Sequence, residues 1–157
     1  MILARFVASM MMHINCEKDV RNGINMMKYA VNHYKNFTNP YAAFFIAFLA
    51  TIIGFIVELN VMIILASMPN ILGVVMKYVS LASIQRIPGF YYTSLIEHKL
   101  LKAGSIELKI SNYRINEPLK DAGPGLHIIR AVYKVVRLLY CGISFYFMPF
   151  ISIVLNF

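Results

Sequence analysis

Residues 40–68, PYAAFFIAFLATIIGFIVELNVMIILASM, decide the fold. From position 41 to 68 these 28 residues carry one charge, Glu58. A hydrocarbon layer needs about 20 helical residues to cross it, so the run is long enough to span one. Thr38 or Asn39 can cap its start, and Pro40 stands where a missing N–H costs nothing. Pro69 and Asn70 end it.

The rest of the chain shares this character. Of its 157 residues, 59% are hydrophobic and only 14% charged, with a mean hydropathy of +0.65. Globular domains run nearer half apolar and a quarter charged, so the composition is that of a membrane protein. The net charge of +8 lies in residues that flank apolar runs and form no separate soluble patch. That pattern suits anionic lipid headgroups rather than nucleic acid.

Downstream, ILGVVMKYVSLASIQRIPGFYY (71–92) is apolar but carries Lys77, Gln85 and Arg86 and is expected to break at Pro88-Gly89. About 18 residues between Pro69 and Pro88 make barely a span. Residues 97–125 are polar; IELKISNYRI (106–115) alternates and suggests a small β-hairpin. The last segment starts as HIIRAVYKVVR and becomes LLYCGISFYFMPFISIVLNF, 20 residues without a charge. It reads as a basic amphipathic entry turn and a final span kinked at Pro149.

Residues 1–36 show helical spacing. Leu3, Phe6, Val7, Met10, Met11 and Ile14 gather on one side, away from Arg5, Ser9 and Cys16. Further on, Val20, Ile24, Met27, Val31 and Tyr34 oppose Lys18, Arg21, Asn25, Lys28, Asn32 and Lys35. Such stripes suit a helix lying in a membrane interface or packed on a partner. The start resembles an organellar presequence in composition, with Arg5 and no acid before Glu17; retention as an interfacial helix is expected.

The expected architecture is therefore an all-α integral membrane protein. It has an amphipathic N-terminal region (1–38), a transmembrane helical hairpin whose second arm spans or is re-entrant (39–96), a polar insert (97–125) and a basic turn leading into a C-terminal span (126–157). The hairpin follows from charge. Residues 1–40 hold five Lys and Arg, and residues 86–137 hold nine. Only if 70–87 returns as a second arm do these fourteen share one side, as basic flanks prefer. The expected topology has the N-terminus and the insert on the cytoplasmic or matrix side and the C-terminus opposite. The sequon Asn36-Phe37-Thr38 then faces inside. Which membrane is involved is open, an organellar inner membrane included.

Within a hairpin, Glu58 and Lys77 differ by roughly 4 to 5 Å in depth at 1.5 Å per residue. Lys77 can reach Glu58 by snorkelling, and Ser80 lies level with it. Ala43, Ala47, Thr51, Gly54 and Glu58 recur at spacings of 4, 4, 3 and 4, and with Gly73 on the returning arm they form stripes that let helices approach closely. An intramembrane carboxylate is by default a functional candidate; the competing reading is a structural pair that locks the hairpin.

Other groups carry less. Arg130, Lys134 and Arg137 form a stripe ahead of the apolar run, suited to lipid headgroups. MMMHINC (10–16) offers soft copper ligands, but Met is equally a filler of apolar contacts, and no metal is assigned. Cys16 and Cys141 make neither a disulfide framework nor a metal box. Ser94, Glu97 and His98 are close only in sequence. No nucleophile–base constellation or cofactor motif appears, so an enzyme is not expected. The leading expectation is a non-catalytic small subunit of a larger integral membrane complex, meeting other subunits and anionic lipid. The alternative is an oligomeric channel or transporter subunit working through Glu58.

Overall fold

A computed structural model describes residues 2–95 and 123–155, and every regular element among them is helical. Helix α1 is Ile2–Asn32, followed by a short 3-10 turn, Tyr34–Asn36. Helix α2 is Pro40–Ala66, α3 is Ile71–Leu95, and α4 is Pro124–Val154. Helices α2 and α4 are long and apolar enough to cross a membrane. The anticipated β-hairpin at 106–115 lies outside the described residues.

Local chemistry sets the boundaries. The Asn39 side chain accepts from the N–H groups of Tyr41 and Ala42, both at 3.2 Å, and Pro40 opens α2. Helix α4 changes character along its length. A regular amphipathic stretch, Pro124–Arg137, buries Leu126, Ile129 and Tyr133. It then widens into a π-helical segment, Leu138–Ser144, and tightens to a 3-10 turn at Met148–Phe150, around Pro149. Such irregular turns re-aim side chains and bend helices.

The centre of the bundle is α1. It runs antiparallel to α2: Arg5 donates to the Met68 carbonyl through Nε at 3.1 Å and Nη2 at 2.7 Å, while Val20 and Gly23 lie against Gly54 and Thr51. It is antiparallel to α4 as well, with Phe6 on Phe150 and His13 on Phe145. Two apolar clusters result. One holds Val20, Ile24, Met27, Phe44, Ala47 and Tyr133; the other holds Ala8, Met12, Met62, Leu65 and Val74.

Three features of the packing bear on the expectations. First, the apolar stripe of α1, expected at a membrane interface or on a partner, points away from the core: Leu3 is 74% exposed, and Val7, Met10, Met11 and Ile14 also point outward. Arg5, Ser9, His13 and Cys16 are buried instead: Arg5 reaches the Met68 carbonyl, His13 meets Glu58 on α2, and the Cys16 sulfur accepts from Gln85 on α3. Second, α3 packs more on α1 than on α2 and continues through Pro88 to Leu95. Proline removes one donor and leaves the Ile84 carbonyl without its N–H, yet the turn carries on. Third, α1 lies lengthwise on α2, so its N-terminus sits beside Met68 and Phe150. The two ends of the described chain share one end of the bundle, opposite Pro40, whereas the charge count had put the N-terminus with Pro40.

A buried polar cluster as candidate functional site

The cluster begins with the small-residue stripe on α2. Ala47 and Thr51 are buried and Ala43 packs against the same core cluster, all facing α1. A Cβ on Gly54 would stand 3.1 Å from Val20 Cγ2, and one on Gly23 would stand 3.0 Å from the Thr51 nitrogen. Small residues on both helices thus bring the backbones together. The stripe ends at Glu58, which is 0% exposed.

Both Glu58 oxygens are engaged. Oε1 meets His13 Nδ1 on α1, and Oε2 accepts from the Tyr140 hydroxyl on α4 at 3.0 Å. Three helices therefore converge on one carboxyl. Aromatic rings close the surroundings: Phe145 lies 4.9 Å from the His13 ring, and Phe55 meets Tyr140 edge-on at 6.0 Å. Tyr140 sits inside the π-helical segment of α4, whose wider turn aims it at α2. Beside it a half-open cleft of about 310 Å³, lined by Val20, Phe48, Phe55, Leu139 and Ser144 among others, separates α2 from α4.

The other residues singled out from the sequence are placed as follows. Lys77 and Ser80 lie on an exposed face of α3, and the Ser80 hydroxyl donates to the Met76 carbonyl at 2.8 Å. The structure does not bring them to Glu58, because α1 occupies the face of α2 on which the carboxyl lies. Gly73 donates its N–H to the Asn70 side chain at 2.6 Å, at the start of α3. Arg130 is half-buried, Lys134 and Arg137 are exposed, and Arg137 donates to the Tyr133 hydroxyl at 3.3 Å.

The MMMHINC side chains divide: Met12, His13 and Cys16 turn inward, Met10 and Met11 outward. His13 is taken by Glu58, and the Cys16 sulfur accepts from Gln85 on α3. Ser94 donates to the Tyr91 carbonyl at 2.7 Å; Glu97 and His98 lie outside the described residues. Among the described residues no group of three or more His, Cys, Asp or Glu is arranged to hold a metal ion.

His13 and Tyr140 are the partners that sequence reasoning missed. The available signal was the polar set Arg5, Ser9, His13 and Cys16, spaced 4, 4 and 3 in the mostly apolar first half of α1. Tyr140 carried no comparable signal. The chain matches no protein-family model, and comparisons with curated proteins and with solved structures find no match.

Proposed function

We propose that this is a membrane-embedded, non-catalytic subunit of a larger integral membrane complex, contributing helix packing and lipid contacts. The observation that carries the reading is the inverted polarity of α1. A helix that buries Arg5, Ser9, His13 and Cys16 while exposing Leu3, Val7, Met10, Met11 and Ile14 is at home in an apolar surrounding and costly in water. Helix α3 adds to this. Leu72, Met76, Val79, Ile87, Phe90 and Tyr91 are all more than half exposed, far more than single scattered surface apolar residues account for.

The need for partners follows from the other half of α1. There Lys18, Asp19, Arg21, Asn22 and Asn25 are exposed at the level where α2 exposes Leu49, Ile52, Ile53 and Ile56. One layer of the bundle thus shows a charged flank and an apolar flank, and polar groups at membrane depth are tolerated against protein or a water-filled space. Lys134 and Arg137, exposed on the basic part of α4, would reach anionic headgroups by snorkelling.

The full burial of Glu58 and the engagement of both its oxygens support a structural role for it over a conduit open to water. Gentle detergent extraction from the native membrane, native-gel sizing and identification of co-migrating proteins test the subunit reading. Migration within a defined assembly is the expected result. A small homogeneous oligomer of this chain alone would overturn it and send attention to flux through Glu58.

A further inference from the structure

The proton count at Glu58 decides what His13 presents on its far side. One proton shared between Glu58 Oε1 and His13 Nδ1 leaves the pair neutral overall, as carboxylic acid with imidazole or as carboxylate with imidazolium. In both forms Nε2 carries a hydrogen. The remaining form, a carboxylate with an Nδ1–H imidazole, leaves a net negative charge in the interior, which burial strongly disfavours. So Nε2 is a donor. It is buried and meets no hydrogen-bond partner among the described residues, and neither does the Ser9 hydroxyl. Ser9 stands four residues before His13, on the same face, and the two residues are 0% and 3% exposed. A buried donor and a buried hydroxyl, one turn apart, call for an acceptor between them.

We propose that Ser9 and His13 together bind one small neutral hydrogen-bond acceptor, a water molecule, which completes the hydrogen bonding of the His13–Glu58–Tyr140 cluster. Buried waters characteristically bridge such otherwise unsatisfied groups. The titratable groups facing the cluster are Cys16 and Glu17 on α1 and Tyr140 and Cys141 on α4; Glu17 is itself ion-paired with Arg21, and Gln85 from α3 is neutral. The site stands independently of the subunit reading.

The test is nitrogen-15 NMR of the histidine-labelled full chain in lipid nanodiscs, with His13 assigned by loss of its signals in His13→Gln. A protonated Nε2 in contact with water is expected. On transfer to deuterated buffer, its hydrogen should exchange about tenfold more slowly in Ser9→Ala than in the wild type, the equivalent of one hydrogen bond. A bare Nε2, a protonated Nε2 with no water contact, or exchange as fast in Ser9→Ala would each overturn the proposal. The wild-type spectrum decides the matter alone if Ser9→Ala fails to fold.

Discussion

The hydrogen bonds of Glu58 can be broken by two substitutions, and the losses differ in size. Removing the carboxyl in Glu58→Ala leaves His13 and Tyr140 facing each other across a gap, and breaking a buried pair of this kind costs about 3 kcal/mol. Tyr140→Phe keeps the His13 contact and deletes one hydrogen bond, a loss of about 1 kcal/mol. Thermal unfolding in a fixed detergent should therefore rank wild type above Tyr140→Phe, and that above Glu58→Ala. An inverted order would mean that the carboxyl is not held as described. The cysteines offer a second check. Cys16 is 2% exposed and accepts from Gln85, whereas Cys141 is half-buried. A maleimide should label Cys141 first and reach Cys16 only on unfolding; equal rates would contradict the packing of α1 on α3. That Glu58 faces protein was legible in its own stripe, since Thr51, Gly54 and Glu58 share one helix face. Its partner was not, because the choice depends on which helix covers that face, and the chain reversal at Pro69 made α3 the obvious candidate.

At the scale of elements, the approach of α1 to α2 sets the bundle. Gly23→Ala would put a Cβ 3.0 and 3.1 Å from the Thr51 nitrogen and Cα, and backbone atoms cannot give way as a flexible side chain can. Overpacking of this sort costs about 1–3 kcal/mol, so the variant should unfold at a lower temperature. Gly89 is the contrasting case, with nothing within 4 Å of its would-be Cβ. Gly89→Ala should be neutral or stabilise α3 by up to about 1 kcal/mol through helix propensity. A destabilised Gly89→Ala would show that α3 has a close neighbour there. Element existence was readable from composition and caps, as Asn39 and Pro40 illustrate. The burial of α1 was not, because its apolar stripe points to the core only if the surroundings are water. In an apolar surrounding the same stripe belongs outside, and Arg5, Ser9 and His13 belong within.

For the whole molecule, the direction of the helices makes a prediction about sidedness. Helices α2 and α4 run parallel and α1 runs against both, so Ile2 and Leu155 lie at one end and Asn36 and Thr38 at the other. Single cysteines placed at 2 and 155 in a cysteine-free background should be labelled by a membrane-impermeant reagent from the same side of a sealed vesicle, and one at 38 from the opposite side. Labelling of positions 2 and 38 from one side would refute the lengthwise packing of α1. The charge count could not have found this arrangement, because it treated residues 1–40 as a flank of α2 rather than as a helix laid along it.

The bond between Tyr140 and Glu58 joins residues 82 positions apart, and this fixes an order of events during synthesis. Ribosomes add about 5–20 residues per second, so Glu58 emerges roughly 4 to 16 s before the tyrosine that completes its shell. During that interval His13 is already made, and the carboxyl has one of its two partners. The stretch of chain that carries Tyr140 therefore closes the interior well after the rest of the shell is made, and a nascent polypeptide stalled before Tyr140 would be a substrate for quality control rather than a shorter version of the folded protein.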